Sequence, residues 1–344
     1  MITDGPATEE RPVITIGAML PLSGDMAFIG ESGRNSMDLA LEGLKDTRFQ
    51  YKIVYEDDKL DPKLTSSAAK KLIEVDKADA VVSLFSGAGN VVSPMAQESQ
   101  VIHFSWASDP NVANGDYNFI HATPPSEEGK VWDEEAARRG VKRIALLTWQ
   151  QAGGLAMAKG VKDSLKPGMT IVSEQTFNAG ETDFKSMILK AKEQDPDIYM
   201  VLAIDPELPL IYKQMRELGI DKPVSGIEVF GFTKDIGLFE GQWYVDAAGS
   251  SDDFNARYEN RYGKKPSSGG GNLYDMVDLI AKGFEDAGKE DGKKPSPELV
   301  VKELLKIQGF QGALGNLDMR ADGTVWSKAQ VKEIKDGKAV EVAR

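Results

Sequence analysis

Residues 14–33 read ITIGAMLPLSGDMAFIGESG. Ile14, Ile16, Ala18 and Leu20 run apolar without a charge between them, the composition of a strand buried in a parallel sheet. The run breaks at Pro21, Ser23 and Gly24, and helical spacing resumes with Met37, Ala40, Leu41 and Leu44. A strand, a Gly/Ser loop and then a helix leave free backbone N–H groups at the helix start, a corner suited to small anions and carboxylates. The construction recurs. Strands are predicted over 13–19, 51–56, 80–85, 101–105, 143–148, 170–176, 197–203 and 222–226. Between them, helices are predicted over 31–44, 62–75, 89–99, 127–139, 153–165, 183–193 and 206–218. The alternation predicts an α/β fold of doubly wound parallel sheets with helices on both faces. Asp61-Pro62, Thr182/Asp183 and Asp205-Pro206 read as helix starts, and Leu218-Gly219 as a stop.

Twice the series resets. A strand over 117–122 runs into Thr123-Pro124-Pro125, and another over 241–249 runs into a polar helix start at Ser250-Ser251-Asp252. Helices over 273–287 and 297–305 come next, then short strands over 309–317, 324–334 and 338–342. The chain is therefore expected to leave one α/β domain near 123, return near 248 and cross again near 325, giving a multi-strand hinge beside a cleft. This predicts one lobe from 13–123 plus 249–325 and a second from 124–248 plus 326–344, after a disordered leader over 1–12.

Composition narrows the function classes. At 344 residues two domains are the default. A formal charge of −13 argues against nucleic acid or an anionic membrane as partner. With no cysteine there are no disulfides, zinc–thiolate sites or thiol nucleophiles. No apolar run is long enough to span a bilayer, and the opening MITDGPATEERP carries no apolar signal core, as in a cytosolic protein or a mature chain whose signal has been removed. Gly87-Ala88-Gly89 follows a strand, but the third glycine of a dinucleotide fingerprint falls at Val92. Asp57, Asp58 and Asp61 lack EF-hand spacing and its terminal Glu; a solvated turn ahead of a helix explains them better. His103 and His121 stand in no metal-pair or triad spacing, and no G-x-S-x-G elbow occurs. Neither a catalytic centre, a metal site nor a cofactor is predicted.

The order and spacing of several segments carry a resemblance. IGAMLPLSGDMAFIGESGRNSMDLAL, DAVVSLFSGAGNVVSPMAQ, the FSWAS loop, RIALLTWQQAGGLAMAKGVKDSLK and DPELPLIYKQMRELGI stand in succession from near Val13. The chain resembles the type I periplasmic solute-binding proteins of ABC transporters, the group that binds leucine, isoleucine and valine. The resemblance implies two doubly wound α/β lobes joined by a three-segment hinge, an amino acid gripped as the lobes close, and delivery to a membrane permease. It implies an extracytoplasmic, monomeric binding protein. Ser86 and neighbouring Gly87 match the place where the family meets the ligand carboxylate. Ser108 and the backbone at Trp106 match the loop that meets carboxylate and ammonium, and Glu228 matches the acidic partner of the ammonium.

Departures from that pattern bear on the ligand side chain. Where branched-chain binders carry aromatics this chain has Ala152 and Ile204, with Trp149 and Trp106 as neighbouring aromatic surface. Phe28 and Ile29 take the place of a pocket-facing aromatic, and Ser268-Gly269-Gly270-Gly271-Asn272 replaces bulkier residues, which could widen the pocket. Each residue also has an ordinary structural explanation: Ser86 as a helix cap, Ser108 as turn chemistry, Glu228 as a solvated charge, the tryptophans as seals on a domain face, Tyr274 as packing of a helix on the sheet. Alternatives are the same fold binding an amide, urea-like compound or aromatic carboxylate, and a cytosolic nucleotide-dependent enzyme.

Overall fold

Val13–Leu20 (β1) is buried from its second residue to its last and pairs in parallel on both sides, with Gln50–Asp57 (β2) and Ala80–Leu84 (β3). The computed structural model describes residues 11–290 and 292–342, so the predicted leader falls outside it up to residue 10. The first sheet runs on through Ile102–Trp106 (β4) and Asn118–His121 (β5), all parallel, in the order β13-β5-β4-β3-β1-β2, where β13 is Thr324–Val325. Helices Ala27–Gly43 (α1), Pro62–Lys70 (α2) and Phe85–Ser99 (α3) connect its strands. Asp61 caps α2 by accepting the N–H groups of Lys63 and Leu64 at 2.8 and 3.0 Å. Two predicted helices start earlier: α1 at Ala27 and not near 31, and α3 at Phe85 and not near 89. Phe85 takes a left-handed backbone conformation (φ 64°) and turns the chain from β3 into the helix without a loop.

The second lobe opens with Pro125–Arg138 (α4). A four-stranded parallel sheet comes after it in the order β7-β6-β8-β9, from Arg143–Trp149 (β6), Thr170–Phe177 (β7), Ile198–Leu202 (β8) and Val224–Ser225 (β9). Ala152–Ser164 (α5), Lys185–Lys192 (α6) and Glu207–Glu217 (α7) lie between these strands. Asp183 accepts the Lys185 N–H at the start of α6, and Gly219 (φ 64°) ends α7. Asp205 does not cap α7, which begins two residues later; its carboxylate accepts the Lys234 N–H at 2.9 Å.

Trp243–Ala247 (β10) pairs antiparallel with Ala329–Lys335 (β14), which pairs with Lys338–Glu341 (β15). The predicted strand over 324–334 is thus two strands in two sheets, because the chain passes from one sheet to the other between Val325 and Ala329. Asp252–Tyr262 (α8), Gly270–Ala287 (α9) and Pro297–Leu304 (α10) return to the first lobe, α8 and α9 packing on α1. Phe310–Gly312 (β11) and Gly315–Leu317 (β12) form a small hairpin against α9, where Asp275 accepts the N–H groups of Ala313 and Leu314.

Helix α4 ties the second lobe's parallel sheet to its antiparallel ladder. Its buried stripe, Pro125, Glu128, Gly129, Trp132, Asp133 and Ala136, recurs at three- and four-residue steps and faces α5 and the β10–β14 ladder. Trp132 is fully buried, stacks on Trp243 at 5.5 Å and donates from Nε1 to Ser225 Oγ at 2.8 Å. Gly160 of α5 lets the helices touch, since a Cβ there would lie 2.6 Å from the Pro125 carbonyl carbon. Gly160→Val is expected to lower stability by about 2 kcal/mol through overpacking. Urea unfolding checks this, and an unchanged midpoint would mean that α4 gives way freely.

Candidate functional site

The start of α3 and the loop after β4 are built as one unit. Ser86, in the first helical turn, is 3% exposed, and its Oγ accepts the N–H groups of Ser108 at 3.1 Å and Asp109 at 3.0 Å. Asp109 in turn accepts from Asn90 Nδ2 and the Asn111 N–H, closing the loop on itself. Ser86 does not cap α3, whose N-cap is Leu84 with no side-chain cap bond; its Oγ holds the 108–109 backbone instead, and its hydroxyl hydrogen is left to donate elsewhere. Around it the first N–H groups of α3 have no carbonyl within the helix to serve, and nothing stands within 4 Å of a Cβ built on Gly87. This is the positive end of a helix with an open face.

Across the cleft stands Glu228, in a left-handed backbone conformation (φ 59°) with its N–H on the Val245 carbonyl at 2.8 Å. It is 8% exposed, so it is not a solvated charge. Oε2 accepts the Ser108 hydroxyl at 2.7 Å, a bond from one lobe to the other, while buried Oε1 has no donor among the described residues. Burial pushes the Glu228 carboxyl up to about 7, against the lowering effect of the Ser108 hydroxyl. Behind it lies Glu128 of α4, 1% exposed, with no hydrogen bond to either oxygen. Asp246 of β10 pairs with Lys332 of β14 at 2.9 Å beside them. Sequence reading missed Glu128; its signal was a carboxylate on the inner stripe of a helix.

Two cavities flank this junction. One, about 340 Å³, lies between the lobes and is lined by Ser86, Gly87, Ser108, Trp149, Ile204, Asp205 and Phe232, among others. The other, about 230 Å³, lies on the hinge side and is lined by Trp106, Glu128, Glu228, Asp246 and Lys332, with the 265–272 loop. A larger one of about 930 Å³ opens on the flank near Pro110, Leu155 and Trp326 and contains neither Ser86 nor Glu228, so size does not mark the chemistry. Phe85, Trp106 and Phe232 pack on one another at 5.3–5.6 Å between centroids and form an aromatic wall from both lobes.

The other sequence candidates take different places. Trp149 lines the inter-lobe cavity with its Nε1 buried and unpartnered, and Ile204 gives it an aliphatic surface. Phe28 is not on the cavity wall; it lies at the rim with the Lys234 ammonium 5.9 Å from its ring, and Met26 lines the cavity instead. The glycines after Ser268 do not widen this cavity: a Cβ on Gly269 would lie 2.1 Å from the Trp106 ring, which occupies that space. Tyr274 packs on Phe254 and Arg257 of α8, helix on helix rather than helix on sheet. Asp57 holds the Leu22 N–H and the Ser23 hydroxyl, Asp58 holds Thr65, and Asp61 serves as the α2 cap. His103 is buried between Ser83 and Asn118, and burial lowers it to about 4. No helix among the described residues is long and apolar enough to cross a membrane.

A buried carboxylate on the hinge-side cavity is thus bonded through Ser108 to the loop that, with the start of α3, lines the inter-lobe cavity, so an anionic group and free N–H donors meet at one junction. Comparisons with known proteins agree with the fold. The chain is 25% identical over 328 residues to the leucine-, isoleucine-, valine-, threonine-, and alanine-binding protein of Pseudomonas aeruginosa, covering 90% of this chain and 86% of that one. It superposes on a leucine binding protein from Thermotoga maritima with a TM-score of 0.88 at 21% identity, over 96% of this chain and 98% of that one. It also superposes on an ABC transporter solute binding protein from R. palustris in complex with benzoate, with a TM-score of 0.84 at 19% identity over 96% of each chain. Residues 13–339, both lobes and every linking segment, match the family described as periplasmic binding protein, and the chain belongs to that family.

Proposed function

We propose that this chain is the solute-binding component of an ABC transporter, outside the cytoplasmic membrane, and that it captures a small amino acid by closing its lobes. The observation that carries the reading is the buried, half-satisfied carboxylate of Glu228 opposite the start of α3. On this reading the lobes part at 123/124, 248/249 and 325/326. The α3 N–H groups, the Ser86 hydroxyl and the 106–108 backbone hold the ligand carboxylate from one lobe. Glu228 holds the ammonium from the other. An uncompensated carboxylate in a closed, dry cleft is costly, so a cation completes it. Trp149, Ile204 and Gly87 bound the space for the rest of the ligand, with Phe28 near the mouth. A ligand shifts the open–closed balance only by its differential affinity for the closed form, which here needs a group on each lobe. The protein acts as a monomer and hands its cargo to the permease without transforming it.

A second reading rests on the aromatic wall of Phe85, Trp106 and Phe232 with Trp149 beside it: an aromatic carboxylate, as in the benzoate complex of the R. palustris neighbour. In that case Glu228 is protonated and serves as a neutral donor.

A thermal-shift screen of protein stripped of ligand by unfolding and refolding separates the two, because binding to the native state alone raises Tm. Amino acids are expected to shift Tm and benzoate is not. A shift with benzoate alone overturns the main reading. For the amino acid that responds, Glu228→Gln is expected to weaken binding tenfold or more, about 1.4 kcal/mol, by calorimetry. Affinity in the wild type should fall as pH drops below about 7 and Glu228 takes up a proton. Glu228→Gln should abolish that pH dependence. Ser86→Ala leaves the Ser108 and Asp109 N–H groups without their acceptor and should cost about 2 kcal/mol of stability in urea unfolding, with weaker binding.

A further inference from the structure

The assignment of Glu228 to a ligand cation leaves Glu128 without a role. This carboxyl is 1% exposed and points into the junction of α4, the 226–228 loop and β10, where neither of its oxygens meets a donor. Glu228 Oε1 also lacks one, and the two carboxyl groups lie within hydrogen-bonding reach of each other. All three oxygens are buried. The charged groups facing the pair are Asp246 from β10 and Lys332 from β14, which hold one another at 2.9 Å, and Lys265 lines the same cavity. From α5, the remaining element packed on α4, Gly160 and Ser164 face the helix and bring no charge. Two ionised carboxylates cannot share so dry a contact without a donor between them.

We propose that Glu128 is a buried carboxylic acid whose O–H donates to Oε1 of Glu228, making it the positioning residue of the cleft carboxylate. Its proton turns Oε1 toward the hinge and leaves Oε2 facing Ser108 and the cleft. With Asp246 and Lys332 compensating each other, the pair carries one negative charge, the match for a single ligand cation. This last step rests on the amino-acid reading of the cleft; the shared proton does not. Burial, with the negative charges of Glu228 and Asp246, holds the Glu128 carboxyl well above the ordinary range, and Lys332 opposes them. A side-chain hydrogen bond supports the geometry: the indole of Trp132, one turn beyond Glu128, donates to the hydroxyl of Ser225, three residues before Glu228.

The test uses the ligand-free full chain. A native state that keeps a proton which the unfolded chain gives up near pH 4.5 loses stability as pH rises above that value. Wild-type Tm should therefore fall between about pH 5 and pH 8, and the fall should be clearly shallower in Glu128→Gln, whose amide donates without titrating. Glu228 and Asp278, both raised to about 7 by burial, and buried Asp58 supply the slope that remains. Parallel profiles for wild type and Glu128→Gln would overturn the proposal. Glu128→Leu removes the donor and should melt below Glu128→Gln at pH 8; an equal or higher Tm would also overturn it. L-Leucine titrated by calorimetry then tests the positioning role: Glu128→Gln within about threefold of wild type, Glu128→Leu tenfold or more weaker. Equal leucine affinity in the two variants would refute positioning. No leucine binding by the wild type would count against the amino-acid reading and against the single-cation match, while the melting profiles still decide the shared proton.

Discussion

The hydrogen bond from the Ser108 hydroxyl to Glu228 Oε2, 2.7 Å long, is the contact around which the cleft is organised, because it joins the two lobes where a buried charge meets a buried donor loop. Neither partner is placed by chance. Ser108 is held from below by Ser86, which takes its N–H and that of Asp109. Glu228 is held by its own N–H on Val245. At the rim the lobes are bridged more weakly. Lys234 and Asp25 approach to 3.6 Å there, but both are largely exposed, and such pairs contribute little.

Two of the eight positive-φ residues other than glycine among the described residues sit at this junction. Phe85 and Glu228 both sit in the left-handed region without being glycine, a conformation that costs roughly 1–3 kcal/mol per residue when the surroundings must enforce it. Phe85 aims the start of α3 into the cleft, and Glu228 aims a carboxylate at it. Packing offsets the strain. Phe85 is clamped between Trp106 and Phe232, and the Glu228 loop is tied to the Trp132–Trp243 stack through Ser225.

Electrostatics give the cleft its polarity. One wall ends in unserved N–H groups at a helix start, and the other in a carboxylate whose proton affinity burial has raised. The hinge side is different in kind: the carboxyls of Glu128, Glu228 and Asp246 and the ammonium groups of Lys265 and Lys332 line a smaller cavity there.

The α/β class and the strand–helix alternation were legible in the residues, because they rest on local periodicity and turn chemistry: the uncharged run from Ile14, the Asp61-Pro62 cap, the prolines at 124 and 125. Ser86, Ser108 and Glu228 came from a resemblance, since a lone Ser or Glu has no periodic signature. What only the tertiary structure decided is which groups meet. Glu128 and Glu228 are 100 positions apart in sequence, and their contact depends on α4 seating Trp132 against Ser225 and Trp243. Gly269 looked like added room until the Trp106 ring was found in it, and Phe28 looked like a wall until Met26 took that place. Local pattern determines which elements form, because it acts over a few residues. The environment of a buried charge is set by side chains from several elements at once, and no stretch of sequence contains it.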